Sequence, residues 1–282
     1  MKTILIPVDF SFTSANALQY IADASEDIDI ERIILLKTHY ISVYTHIIPS
    51  SEYGQSNAEL VMEERQEIED HLRATGQELL KKCKPGVHVE VAVSDLPILR
   101  AIHDMIKDYQ PQLLLLGSDS AGYDSHIGEY VIEITQISSV PVLIIPTISR
   151  YQKLDSILVP CDFNAIARLT LLQKLHKIQL MLNPALTILN VGPFDQHSAK
   201  EGFHKALLKE QLGDFKYKLY YSEEKNIAKG ILNFARQNEE IQLIVALPGK
   251  HSFFYKLTHR SITEAIALNT QIPVLILKES QT

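Results

Sequence analysis

The sequence predicts an α/β protein of two tandem domains, each a doubly wound sheet of five mainly parallel strands. Three observations carry this reading. The chain repeats itself, because Ile4-Leu5-Ile6-Pro7-Val8-Asp9-Phe10 returns as Ile157-Leu158-Val159-Pro160-Cys161-Asp162-Phe163. Each half then closes on a matched segment, Val140-Pro141-Val142-Leu143-Ile144-Ile145 and Ile272-Pro273-Val274-Leu275-Ile276-Leu277. Between these landmarks, short apolar runs alternate with longer stretches of helical periodicity, the pattern of parallel strands covered on both faces. A repeat of this length is a whole domain and not a solenoid unit.

In the first half, strands are expected at residues 4–8, 32–37, 88–93, 113–116 and 142–145, with helices near 14–24, 59–82, 97–108 and 129–136. The 59–82 stretch sets Leu60, Glu64, Ile68 and Leu72 four residues apart, a mostly apolar seam amid charge. The second half repeats the order, with strands at 157–160, 186–191, 216–220, 243–246 and 274–277 and helices near 165–182, 200–212, 227–237 and 261–268. A polar stretch at 147–153 follows Pro146 and marks the join, giving domains 1–148 and 153–282. Residues 40–57 are aromatic and polar without a clear period and read as a surface connection. Pro141 and Pro273 open the closing strands, where a missing N–H is tolerated.

Composition bounds the function. The 282 residues are 46% hydrophobic and 22% charged, a globular balance with room for two cores. A net charge of −7 argues against generalised binding to nucleic acid or to an anionic membrane. No apolar run is long enough to cross a bilayer, and the N-terminus enters a strand directly, without a signal-peptide layout. Two cysteines, Cys83 and Cys161, suggest no disulfide framework, so a cytoplasmic setting is expected.

In a doubly wound sheet, ligands bind beyond the carboxyl ends of the strands. Asp9 follows the first strand there and fits two roles, meeting a polar ligand or capping the helix that begins near Thr13 or Ser14. The fourth strand leads into Gly117-Ser118-Asp119-Ser120-Ala121-Gly122 and, through Gly128, into a helix. A small-residue loop of this kind can offer backbone N–H groups to a phosphate, although Gly and Ser are also generic turn residues.

Both halves resemble the universal stress protein domain over nearly the whole chain. The resemblance rests on the first-strand Pro-x-Asp (Pro7-Val8-Asp9 and Pro160-Cys161-Asp162), the fourth-strand loop and the closing Pro-Val-Leu-Ile strand. It implies an adenine nucleotide alpha hydrolase-like fold and a stress-response role. The family's ATP-binding branch carries Gly-x-x-Gly, nine residues, then Gly-Ser or Gly-Thr, and its glycine amides hold the phosphates. The first-strand aspartate and the end of the second strand surround adenosine, positions that fall here on Asp9 and Thr38, and on Asp162 and Val191.

Both copies depart from that motif. In the first, Gly117 and Ser118 fit its start, but Ser120 replaces the second glycine. Gly128 fits the third only if the loop is two residues short, and Glu129 then stands in for the hydroxyl. A carboxylate there repels a triphosphate. The candidate ligand of domain 1 is thus an adenine nucleotide, ATP or AMP, with Glu129 working against ATP. In the second, Leu247, Lys250 and Arg260 occupy the three glycine positions, and Ser261 keeps the hydroxyl. Their side chains fill space that a phosphate needs, while Lys250 and Arg260 can still attract a small anion. Any nucleotide is therefore expected in the first half.

Enzyme signatures are missing from the sequence. There is no Gly-x-x-x-x-Gly-Lys-Ser/Thr loop, and His126-Ile127-Gly128-Glu129 lacks the second histidine of the class I synthetase motif. Eleven histidines form no zinc-protease pair, and Cys161 reads as a small buried residue without a partner base. The expectation is a non-enzymatic stress-response protein with degenerate nucleotide sites, acting through weak ligand binding and protein partners. The alternative is an ATP- or AMP-binding enzyme of a related fold, a hydrolase or a phosphoryl or adenylyl transferase. A ligand-free scaffold is a third class. The resemblance implies that the closing strands of the two halves face each other as a pseudo-twofold pair, and it leaves a further homodimer open.

Overall fold

The structure is a computed structural model that describes residues 2–40, 51–119, 126–161, 169–170, 172, 184–192, 201–213, 215–247, 266 and 270–278; for residues 51–58, 126 and 201–205 it describes the backbone alone. The first half runs β1 (Thr3–Pro7), α1 (Phe12–Ala24), β2 (Arg32–Thr38), α2 (Ser51–Lys82), β3 (His88–Ser94), α3 (Ile98–Tyr109), β4 (Leu113–Ser118), α4 (His126–Glu129), α5 (Val131–Ile137) and β5 (Val142–Pro146). The second half follows with β6 (Ser156–Pro160), β7 (Ala185–Val191), α6 (Glu201–Leu212), β8 (Tyr217–Ser222), α7 (Ile227–Gln237), β9 (Leu243–Ala246) and β10 (Val274–Ile276).

The two five-stranded halves are hydrogen-bonded into one ten-stranded sheet, in the order β3-β2-β1-β4-β5-β10-β9-β6-β7-β8. Every pairing is parallel except the central one, where β5 and β10 run antiparallel with Leu143 opposite Leu275. The closing strands therefore face each other, and each proline just before them keeps its carbonyl in the ladder. Pro141 accepts from the Leu114 amide at 2.9 Å, and Pro273 from the Ile244 amide at 2.9 Å. The pseudo-twofold relation follows from this seam.

Both faces of the sheet are covered, which explains why the inner strands read as unbroken apolar runs. One core layer gathers Ile4, Ile6, Leu35 and Leu115 with residues of α1 and α2, and continues through Leu143 and Leu275 to Leu208 and Leu212 of α6. The opposite layer joins Leu5, Leu36 and Leu116 to α3 and α5, and continues through Ile144 and Val274 to Ile231 and Ala235 of α7. Each layer is thus continuous across the seam. The outer strands β3 and β8 are less buried and show partial alternation, as edges should.

The repeat extends to polar details invisible in the motif. The Gln112 side chain accepts the Thr3 amide at 2.5 Å, at the start of β1. At the matched place, Gln242 accepts the amides of Asp155 at 2.7 Å and Ser156 at 3.0 Å, at the start of β6. Each glutamine clamps a distant strand end whose N–H would otherwise lack a partner.

Two local expectations are corrected. Helix α2 starts at Ser51, so part of the presumed 40–57 connection is helical, and residues 41–50 lie outside the described residues. Gly54, Ser56 and Asn57 are weak helix formers that mask this first part. The single helix expected at 129–136 is broken at Tyr130, whose φ of −104° and ψ of 7° leave the helical region and make it the N-cap of α5. Most of each helix expected at 165–182 and at 261–268 lies outside the described residues, which include Leu169, Thr170 and Leu172 of the first and Ile266 of the second.

Candidate functional site

The centre of the first-half crevice is Asp9, just beyond the buried end of β1 at Pro7 and Val8. The Val8 amide donates to the Leu36 carbonyl at 2.8 Å, which fixes the chain direction as it leaves the sheet. One carboxylate oxygen of Asp9 accepts from the Ser11 amide at 3.1 Å, from the Ser11 hydroxyl at 2.6 Å, and from the Ser14 hydroxyl. The other accepts from the Ile127 amide in α4 at 3.0 Å. Ser11 is the N-cap of α1, accepting from the Ser14 amide at 3.1 Å. Asp9 therefore braces the start of α1 from below and ties the segment after β4 onto the end of β1. The cap of α1 is thus Ser11 and not Asp9, which supports that cap by holding the Ser11 and Ser14 hydroxyls while it binds the Ile127 amide of α4.

Phe10 next to it adopts a left-handed backbone, φ 64°, which a bulky side chain seldom takes. That turn lays its ring flat on His71 of α2, with centroids 3.9 Å apart and planes 10° from parallel. Lys37 of β2 sits over the same ring, its Nζ 5.5 Å from the centroid. Burial pushes the Lys37 ammonium below its ordinary value, and the Asp9 charge pulls the other way. This ring stack was missed in the sequence, where Phe10 counted only as a repeated letter. Its signal was the Asp-Phe pair, present in both copies.

Gly117 lies in β4 against the first turn of α1. A Cβ there would come within 2.7 Å of the Thr13 carbonyl oxygen and 2.8 Å of its methyl group. Close packing of α1 on β4 thus accounts for this glycine. Ser118 is buried, and its carbonyl accepts from the Thr147 amide and hydroxyl, each at 2.9 Å. Thr38 ends β2 opposite Ser94 of β3, at the same carboxyl edge as Asp9. Gly128 lies inside α4 and Glu129 ends it, with its side chain exposed. Glu129 therefore lies in the single turn of α4 and directly precedes the α5 N-cap. Ser120 lies outside the described residues.

In the second half, Val191 ends β7 and is buried against α7, where a Cβ on Gly230 would come within 2.7 Å of it. Cys161 is buried, and its carbonyl accepts from the Asn190 side chain at 2.7 Å. The Cys161 amide donates to the Leu189 carbonyl at 2.8 Å, repeating the Val8–Leu36 bond. Asp162, Lys250, Arg260 and Ser261 lie outside the described residues. Among the described residues, no group of three or more acids, histidines or cysteines is arranged to hold a metal, and no imidazole bonds to Ser11 or Ser14. No described helix is long and apolar enough to cross a membrane.

The sequence model of the universal stress protein family matches residues 1–146. The chain belongs to the universal stress protein family. Solved structures agree on the fold. A universal stress protein from Archaeoglobus fulgidus DSM 4304 superposes with a TM-score of 0.67 at 18% identity, covering 98% of each chain. A putative universal stress protein from Pseudomonas aeruginosa gives 0.60 at 13% identity, over 99% of this chain and 94% of the other. A functionally unknown protein from the same species gives 0.55 at 13% identity, over 99% and 93%. No curated protein sequence matches the chain. As a universal stress protein it is a stress-response protein, and the Asp9 crevice is the place where this fold class presents its strand ends.

Proposed function

We propose that this universal stress protein is non-enzymatic, that its nucleotide sites are degenerate, and that it works through weak binding of a small ligand and through protein partners. The observation that carries the reading is the Asp9 carboxylate, whose two oxygens are engaged by Ser11, Ser14 and Ile127 within the protein's own scaffold. A ligand at this place competes with four existing hydrogen bonds, so net affinity is low. Gly117 fits the same reading, since the close approach of Thr13 accounts for its missing side chain without a phosphate. The sequence adds Ser120 and Glu129 in the first half and Leu247, Lys250 and Arg260 in the second. If a nucleotide binds, the first half holds it, and adenosine or AMP is preferred over ATP. The setting consistent with the composition is the cytoplasm.

Titration calorimetry with adenosine, AMP and ATP tests this on the whole chain. Asp9→Ala is expected to abolish nucleoside or AMP binding, and Asp162→Ala to leave it unchanged, with both variants checked for an intact thermal melt. Equal loss from both changes defeats the asymmetry, and tight ATP binding by the unaltered protein defeats the reading as a whole.

A further inference from the structure

A cleft of about 620 Å³ opens where the two halves meet, and it shares no lining residue with the Asp9 crevice. Its walls come from three places. Tyr20 of α1 and the connecting residues Ile148–Arg150 and Gln152 supply one side; Leu232, Ala235 and Arg236 of α7 supply another; Thr270–Pro273, leading into β10, supply the third. The antiparallel seam creates it, because the carboxyl end of β5 lies beside the amino ends of β9 and β10. The pseudo-twofold mate in the first half, between α3 and the residues before β5, measures about 410 Å³. No connecting segment is among its lining residues, although Lys107 stands there where Arg236 stands here.

The lining sorts into groups the scaffold has used and groups left open. Gln242 accepts the Asp155 and Ser156 amides, Thr270 accepts the Ile272 amide at 3.0 Å, and Ser149 donates to the Gln271 carbonyl at 2.6 Å. Arg150 is held in place by Asn16 and by the Ser149 carbonyl at 3.1 Å, which leaves guanidinium N–H groups to spare. Arg236 has no hydrogen-bond or ion-pair partner among the described residues, and Glu239, the one acid on the wall, pairs with neither arginine. Tyr20 is only 3% exposed, yet its hydroxyl has no hydrogen-bond partner among the described residues. Burial also pushes the Tyr20 phenol up, which keeps it a proton donor. Apart from Glu239 and the side-chain amides of Gln152 and Gln271, the open groups are donors or cations, set beside the apolar surface of Ile148, Leu232, Ala235 and Ile272.

We infer that this cleft binds a small amphipathic organic anion, one acidic head on an apolar body, with Arg236, Arg150 and Tyr20 taking the head and Ile148, Leu232 and Ile272 the body. The volume suits a drug-sized molecule, and joints between domains are where such sites concentrate. Two guanidinium groups against one carboxylate give the cleft a local positive excess in a chain of net charge −7. Arginine is the side chain that best matches carboxylate, phosphate or sulfonate geometry.

The test uses the full chain and two fluorescent probes that share a ring system, 8-anilinonaphthalene-1-sulfonate and its uncharged analogue N-phenyl-1-naphthylamine. The folded protein is expected to bind the sulfonate at one site. Arg236→Gln should weaken that binding about tenfold, the equivalent of about 1.4 kcal/mol, while leaving the neutral probe unaffected. Leu232→Glu should remove both. Arg150→Gln also breaks the Asn16 contact, so Arg236→Gln decides the matter if that variant is unstable. Each variant is compared below the onset of its own melt, because unfolded chains also bind these dyes. No sulfonate binding by the unaltered protein overturns the inference. So does an Arg236→Gln titration identical to the unaltered one, or an equal loss for both probes.

Discussion

Gly117→Ala separates a packing role for this glycine from a ligand-binding one. The new methyl carbon would lie 2.7 Å from the Thr13 carbonyl oxygen, 2.8 Å from its methyl and 3.0 Å from its carbonyl carbon. Two of these three are backbone atoms that no rotamer change can remove. Overpacking a dense interior costs about 1–3 kcal/mol, and a clash with fixed backbone belongs at the upper end of that range. Because Gly117 also pairs with Ile145 in the middle of the sheet, β4 cannot retreat without disturbing β5. A loss of about 3 kcal/mol lowers Tm by about 6–12 °C in a chain of this size. Thermal unfolding followed by circular dichroism reads this directly. Thr13→Ser in the same background should recover a minor part, since the carbonyl contact remains. An unchanged Tm for Gly117→Ala refutes the packing argument. Unchanged stability with lost nucleotide affinity would show instead that the glycine serves a ligand.

Three further outcomes follow from the same contacts. Gln112→Leu strands the Thr3 amide and Gln242→Leu the Ser156 amide, while the exposed Asp155 amide turns to water, so both should destabilise by about 1–3 kcal/mol in urea unfolding. Tyr20 and Tyr151 meet edge to face, and burial raises both phenols above the ordinary 10.0. Their contribution to stability is complete below pH 10.0 and declines as the unfolded chain ionises above it, so Tyr20→Phe should flatten the loss of stability at alkaline pH. Changing Glu129→Ser together with Ser120→Gly should raise ATP affinity about tenfold by calorimetry, and no change would show that Glu129 does not exclude the triphosphate.

The sheet was legible because its inner strands are buried on both faces, so Ile33–Leu36 and Leu113–Leu116 could hardly be anything else. The antiparallel seam followed from the family resemblance, with which Pro141 and Pro273 agree as residues that suit strand starts. Less was readable where long-range partners decide. The amide that Asp9 accepts from Ile127 spans 118 positions, and the Gln112 clamp spans 109, distances at which no local pattern speaks. The first part of α2 hides behind residues of weak helix propensity. The break at Tyr130 splits a segment whose apolar spacing runs on without interruption. For the candidate site, the sequence pointed to Asp9, Gly117 and Ser118, which the fold sets at or just beyond the ends of β1 and β4. It could not show that Asp9 is engaged by two helices at once, or that Phe10 turns left-handed to stack on His71.

The most direct test is mass spectrometry of the small molecules released by denaturing freshly purified protein. The degenerate-site account predicts no ATP at a level approaching one per chain, whereas one ATP released per chain would contradict it.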